Sequence, residues 1–133
     1  MFEDGERISC IPAFVKYISM SQALVKNYMH LIFSTKHLSP FIRAPLDNEL
    51  YAYLAGVCNN LGCHALIVGG YTDHVHMLCL VSPKVALMKL VQDVKSNSSR
   101  WMKTKDEWVK DFYWQDGYGA FSVNPLEADA VIS

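Results

Sequence analysis

The chain has 133 residues, of which 51% are hydrophobic, and a formal net charge of -1 at pH 7. This length suits one domain with its own hydrophobic core and is too short to expect two. The near-neutral charge excludes a protein that is basic over its whole surface, so any nucleic-acid-binding surface has to be local. No apolar run approaches the roughly 20 residues of a membrane span, and we therefore expect no membrane partner.

Residues 1–19 show no long hydrophobic period and lack the charged start and cleavage site of a signal peptide. We predict an N-terminal extension over residues 1–19 and one domain over residues 20–133. The four cysteines form no C-x-x-C pair, which favours free thiols in the reducing cytoplasm. Cys58, Cys63 and His64 have the residue types of a zinc fragment. However, Cys58 lies on the apolar stripe of a predicted helix, which favours a core thiol.

The sequence pattern of residues 25–81 predicts a strand, a helix and a hairpin of two strands. Residues 25–35 predict a central strand, because both alternating sets of side chains are largely apolar. Pro45 begins a helical pattern that continues to about residue 61, and Gly62 is a suitable helix stop. Residues 64–70 and 74–81 predict two further strands, and their short connection predicts an antiparallel hairpin.

The second part predicts a helix, a strand and the start of another helix. Ser82 and Pro83 suit the N-cap and first position of a helix that runs to about Lys103. Residues 118–123 predict a fourth strand, and NPLE at 124–127 has the form of a capping box. We expect the sequence to stop within this last helix, since six residues follow the box. The order of elements predicts an α+β, ferredoxin-like split βαβ fold, with helices packed on an antiparallel sheet.

The run Asp73-His74-Val75-His76 opens the third predicted strand. Side chains alternate along a strand, so His74 and His76 should project from one face about 7 Å apart, close enough for one divalent ion. A pair of hydrogen-bonded histidines without metal is the alternative. Asp73 either orients a histidine ring or caps the turn. His30, in the first strand, either approaches the same face or is a core histidine.

The second predicted helix and its tail carry a local excess of basic residues over one acid, Asp93. They form either a surface that neutralises phosphates or an ordinary solvated helix face. The candidate DNA contacts are Lys89, Lys95, Arg100 and Lys103. Nearby aromatic residues either stack on unpaired bases or pack beneath a loop. These are Trp101, Trp108, Tyr113 and Trp114.

Several motifs in a fixed order carry a family resemblance. They are KNYMHLIFSTK at 26–36, HVH at 74–76 after GG at 69–70, KLVQDVK at 89–95 with SSRW at 98–101, and WQDGYGAFSV at 114–123. With these motifs the chain resembles, nearly continuously over residues 20–133, the single-tyrosine HUH transposases of the insertion-sequence-200 (IS200) type.

The resemblance implies a ferredoxin-like homodimer that cuts and rejoins single-stranded DNA at hairpin ends. His74 and His76 match the two metal-binding histidines of the family, and the implied ion is Mg²⁺ or Mn²⁺. The ion would polarise the scissile phosphate while a tyrosine hydroxyl attacks it, which forms a 5′-phosphotyrosine and frees a 3′-OH.

One family motif does not occur in these 133 residues. In the family the nucleophilic tyrosine belongs to Y-x-x-x-Q on the last helix, where it shares a face with a metal-binding glutamine. The sequence ends at Ser133 before such a tyrosine, and Tyr118, the nearest substitute, matches a strand motif instead. We therefore expect a chain that keeps the fold but does not cleave DNA. The alternatives are a non-enzymatic module for DNA or RNA hairpins and a small metalloenzyme with another substrate.

Overall fold

The computed structural model describes residues 26–124, which form one four-stranded sheet and two α-helices. The strands are β1 (Asn27–Ser34), β2 (His64–Tyr71), β3 (His74–Val81) and β4 (Gly119–Val123). The helices are α1 (Leu46–Asn60) and α2 (Leu87–Lys103), and short 3-10 turns lie at Lys36–Leu38 and Glu107–Val109. The predicted extension over residues 1–19 and the helix predicted after Asn124 lie outside the described residues.

The sheet order is β2-β3-β1-β4, and each neighbouring pair is antiparallel. Two β-α-β units with this order make the ferredoxin-like split βαβ arrangement, so the predicted α+β fold is confirmed. β1 lies inside the sheet, between β3 and β4, which explains why both of its alternating side-chain sets are largely apolar.

One face of the sheet is covered by both helices. Leu31 and Met77 project from that face and are fully buried in one core with Leu54 of α1 and Val94 of α2. Because side chains alternate, the neighbours of Leu31 and Met77 project from the opposite face. His30 and His76 are among them, so the fold places the candidate metal site on the face away from the helices.

Helix α1 forms where the apolar pattern predicts it. Leu46, Leu50, Leu54 and Cys58, each four residues after the last, are buried along one stripe. The predicted core position of Cys58 is thus confirmed. The chain leaves the helix through Gly62, whose φ of 81° is in the left-handed region that glycine adopts without strain.

Helix α2 begins at Leu87, so the predicted start at Ser82 and Pro83 is wrong. Ser82 closes a turn instead: its carbonyl accepts a hydrogen bond from the Val85 amide at 3.1 Å, and its hydroxyl accepts one from the Lys84 amide at 3.2 Å. Ala86 is extended, with φ -68° and ψ 139°, so helical backbone does not begin before Leu87. A Ser-Pro pair suits the start of a turn as well as that of a helix.

The segment after α2 is fixed to that helix by a buried hydrogen bond. The Trp114 indole nitrogen donates to the Ser98 hydroxyl at 2.9 Å, and this hydroxyl donates to the Val94 carbonyl at 2.6 Å. The Trp114 ring also meets the edges of Phe33 and Phe112, with ring centres 4.7 and 4.8 Å away. These contacts hold the residues around Trp114 against both the sheet and α2.

Candidate metal and DNA-binding site

The two histidines of the H-x-H run lie side by side at the start of β3. Their ring centres are 4.9 Å apart and their planes are inclined by 77°. Val75, between them in sequence, is fully buried on the helix side. The alternation of the strand therefore places both imidazoles on the face opposite α1 and α2, which we call the open face because neither of these helices covers it.

Each imidazole has a polar partner at its Nδ1 atom. Asp73 Oδ1 lies 2.8 Å from His74 Nδ1, and His30 Nε2 lies 2.9 Å from His76 Nδ1. A carboxylate only accepts hydrogen bonds, so His74 carries its proton on Nδ1 when neutral and keeps the Nε2 lone pair free. Donation from His76 Nδ1 to His30 would leave the Nε2 lone pair of His76 free in the same way.

The spacing of the rings fits two ligands of one ion. Two imidazoles bound at about 2.1 Å, with an angle of about 90–110° at the metal, have ring centres roughly 4.5–5.5 Å apart. The observed 4.9 Å falls in this range. Within residues 26–124, no three His, Cys, Asp or Glu side chains are grouped so that they could hold a metal ion. Among the described residues, His74 and His76 are therefore the two ligands that this site offers to an ion.

Burial lowers the pKa of His76 below its ordinary value of 6.5, and the nearby rings of His74 and His30 lower it further. A lowered pKa keeps His76 neutral at pH 7. The neutral imidazole is the form that binds metals, because only it has a free lone pair.

The β2–β3 hairpin gives the histidines space on one side. Gly69 and Gly70 stand opposite His76 and Val75, respectively. A Cβ atom at Gly70 would lie 2.2 Å from the His74 carbonyl oxygen, so the hairpin needs glycine there. At Gly69 a Cβ would meet no atom within 4 Å. This space is part of a cleft of about 240 Å³ on the open face, lined by His30, Ile67, Gly69, His76, Leu78 and Val123.

The structure adds residues that the sequence pattern did not single out. Tyr71 stands opposite His74 in the hairpin, with ring centres 6.3 Å apart, and its side chain is 68% exposed. Thr35 is fully buried; its amide donates to the Asp73 carbonyl at 2.9 Å, and its hydroxyl donates to the Ser39 carbonyl at 2.7 Å. In the sequence, only the register of the predicted hairpin could have pointed to Tyr71 as a neighbour of His74. No sequence pattern pointed to the contact between Thr35 and Asp73.

The four candidate DNA contacts lie on α2, in the layer behind the sheet, and not with the histidines. Lys89 pairs with Asp93, and Arg100 bonds to Asn97. The Lys95 ammonium donates to the carbonyls of Gln115 and Gly117, at 2.7 and 2.8 Å, and burial lowers its pKa. The Lys103 ammonium donates to the Ser99 hydroxyl and lies 3.8 Å from the centre of the Tyr113 ring.

The four candidate stacking residues differ in their ring contacts and in their exposure. Trp101 stacks on Tyr53 at 4.7 Å, and Trp108 lies under the Arg43 guanidinium at 4.5 Å. Trp114 is 8% exposed, whereas Tyr113 is 54% exposed. Of the four residues, Tyr113 is therefore the most exposed.

Among residues 26–124, neither α-helix combines the length and the apolar character that crossing a membrane requires.

Comparisons with known proteins agree with this architecture. A sequence model of the family described as "Transposase IS200 like" matches residues 23–133. A candidate transposase from Deinococcus radiodurans R1 has a similar structure, with a TM-score of 0.69 and 20% identity over 81% of this chain and 87% of that one. The REP-associated tyrosine transposase bound to a REP hairpin has a TM-score of 0.59 and 10% identity over 81% of this chain and 64% of that one. No curated protein matches the sequence.

Proposed function

The chain belongs to the IS200-like transposase family, and from this membership we propose that its domain binds single-stranded DNA hairpins and presents a phosphate to a metal ion at His74 and His76. The observation that supports this most directly is the pair of imidazoles 4.9 Å apart on the open face of the sheet. The Asp73 carboxylate leaves the Nε2 of His74 for an ion, and donation from His76 Nδ1 to His30 would leave the Nε2 of His76.

His74 and His76 would hold a divalent ion, Mg²⁺ or Mn²⁺, with Asp73 and His30 orienting their rings. Imidazole nitrogen suits Mn²⁺ better than Mg²⁺, so we expect Mn²⁺ to bind more tightly. A bound ion would supply the positive charge that polarises a scissile phosphate. The Gly69 cleft beside His76 would leave room for the sugar-phosphate chain.

We extend the proposal to the partners of the domain. A family neighbour of the same fold is described as bound to a REP hairpin, which supports hairpin DNA as the ligand of this chain. We also propose a homodimer in the cytoplasm. The buried free thiols Cys58, Cys63 and Cys79 are consistent with a reducing compartment.

No tyrosine in the 133 residues is followed by glutamine four positions later. We propose that the polypeptide of these 133 residues binds DNA hairpins without forming a covalent adduct, because this segment lacks the Y-x-x-x-Q nucleophile of the family. The same observation favours a second candidate function, a DNA or RNA hairpin-binding module without strand cleavage.

A binding and cleavage assay tests these proposals. The 133-residue protein is mixed with a fluorescein-labelled DNA hairpin carrying single-stranded flanks, with Mn²⁺, Mg²⁺ or EDTA. We expect saturable binding by anisotropy and no adduct on a denaturing gel. Absence of hairpin binding would refute the proposed function, and an adduct would refute the proposal that this segment does not cleave.

Variants of the site separate the two candidate functions. We expect His76→Ala to remove the Mn²⁺-dependent part of hairpin binding, while His64→Ala leaves it unchanged. His64 is a suitable control because it lies opposite Leu80, roughly 20 Å along β3 from His74. Hairpin binding that is independent of metal, and equal in the His76→Ala variant, would favour the non-enzymatic module.

A further inference from the structure

We propose that Tyr113, Lys36 and Lys103 form a stacking platform for one unpaired nucleotide of the DNA, at the end of the sheet where His74 lies. The base would stack on the face of the Tyr113 ring that the Lys103 ammonium does not cover, and the two ammonium groups would neutralise the adjoining phosphates. We call these three residues the Tyr113 platform. The inference rests on the proposed binding of single-stranded DNA.

The Tyr113 ring is exposed, although its backbone is firmly held. Its neighbours Phe112 and Trp114 are buried, and its carbonyl accepts a hydrogen bond from the Lys36 amide at 2.8 Å. The carbonyl of Phe112 also accepts a bond from Ser99 of α2 at 3.3 Å. A fixed aromatic ring loses little conformational entropy when it stacks on a base, so the position suits a platform.

Two ammonium groups lie at this one ring. Lys103 Nζ is 3.8 Å from the ring centre, and Lys36 Nζ is 5.9 Å from it. Within residues 26–124, the lysines that pair with carboxylates are Lys89, Lys105 and Lys110, and neither platform lysine is among them. The two charges are therefore available to phosphates, which are the strongest source of affinity for a single strand.

The platform lies at the same end of the sheet as the histidines. Ser34, the last residue of β1, stands opposite His74, and the Thr35 amide bonds to the Asp73 carbonyl. Lys36 follows directly, and a rise of about 3.3 Å per residue places it roughly 10 Å from His74.

The chemistry of the platform predicts tolerance of base identity. Stacking on an aromatic ring accepts any base, since every base has a π-face. The platform should therefore recognise that the flank is single-stranded rather than read its sequence.

Two oligonucleotides test the inference. Both carry the same hairpin with a single-stranded flank on each side, one with thymidine flanks and one with abasic flanks. In EDTA we expect the wild-type protein to bind the thymidine oligonucleotide about tenfold more tightly, as measured by anisotropy. Tyr113→Ala should remove this preference, and Tyr113→Phe should keep it because the ring remains.

Variants of the two platform lysines should change the affinity in a different way from Tyr113→Ala. Lys36→Gln and Lys103→Gln should weaken binding of both oligonucleotides by similar factors, because they act on phosphates. Lys84→Gln, an exposed lysine before the start of α2, is the matched charge control and should have no effect. Thermal unfolding of each variant confirms that it is folded.

The outcomes separate this inference from the proposed function. If the wild type binds the hairpin but Tyr113→Ala keeps the thymidine preference, the platform is refuted and the proposed function stands. If Tyr113→Ala instead lowered the affinity for both oligonucleotides by the same factor, stacking would also be refuted. If the wild type binds neither oligonucleotide, the proposed function fails and the platform fails with it.

Discussion

At the scale of single residues, the site histidines differ in where their Nδ1 partners come from. Asp73 is the sequence neighbour of His74, whereas His30 reaches His76 from β1, 46 positions away. A carboxylate partner holds an imidazole more strongly than a second imidazole does, since only the carboxylate is charged. His74 is therefore expected to be the stronger donor to a metal ion, and His76 the weaker one.

Asp73→Asn tests the role of the carboxylate. The amide retains an oxygen acceptor at the same place but loses the negative charge. We expect the affinity for Mn²⁺ to fall about tenfold, measured by isothermal titration calorimetry. Asp111→Asn, which removes an exposed carboxylate away from the histidines, serves as the control. Equal Mn²⁺ affinity in wild type and Asp73→Asn would contradict the role of Asp73.

The lowered pKa of His76 predicts how stability depends on pH. Because the folded state disfavours the protonated ring, the unfolded chain binds the proton first as the pH falls. The contribution of His76 to stability is therefore complete above 6.5, the ordinary value, and is lost as the pH falls below it. In the metal-free protein, we expect the NMR titration of the His76 ring to have its midpoint below pH 6.5. A midpoint above that value would show that burial does not control this ring.

At the scale of elements, the hairpin of β2 and β3 depends on close backbone contact at Gly70. A Cβ atom there would lie 2.2 Å from a carbonyl oxygen and 2.9 Å from the Val75 Cα, and neither backbone atom can move alone. The contact therefore fixes the strand register on which the face of His74 and His76 depends.

Gly70→Ala is expected to destabilise the protein by about 2 kcal/mol, the usual cost of overpacking, as measured by urea denaturation. Gly69→Ala is the matched control, since a Cβ at Gly69 meets no atom within 4 Å. Its stability should change by less than about 0.5 kcal/mol. Equal stability of the two variants would mean that the hairpin relaxes around the extra methyl group.

The elements that sequence alone predicted correctly depend on local periodicity. The β3 strand and the buried stripe of α1 follow from alternation and from four-residue spacing, respectively, which the backbone imposes. The start of α2 was predicted wrongly because Ser82 can cap a turn as well as a helix. Neither the contact of His30 with His76 nor the exposure of Tyr113 could be decided from the sequence. Both depend on which elements become neighbours in the tertiary structure.

At the scale of the whole molecule, the two faces of the sheet differ in what covers them. The helices and the core occupy one face, while the histidines and the cleft occupy the other. The net charge of -1 provides no general attraction for DNA, so binding has to depend on a few local cations. The Tyr113 platform provides two of them.

The salt dependence of hairpin binding measures how many cations take part. A protein that neutralises phosphates of a single strand loses affinity with a logarithmic slope of about -0.7 per phosphate. Replacing Lys36 and Lys103 together by Gln should flatten the slope by about 1.4, if each neutralises one phosphate. The measurement is a series of anisotropy titrations at increasing NaCl concentration. An unchanged slope in the double variant would exclude both lysines from the DNA contact.

The hydrogen bonds at the Nδ1 atoms of the two histidines also affect the rate at which the site binds a metal ion. Asp73 and His30 hold the rings in place before any metal arrives. When His76 donates from Nδ1, the free protein already has the ring positions that an ion needs, so little of the intrinsic affinity should be lost to a minor population. Metal binding should therefore be a single fast step without a conformational lag, and the backbone of the sheet should be the same before and after it.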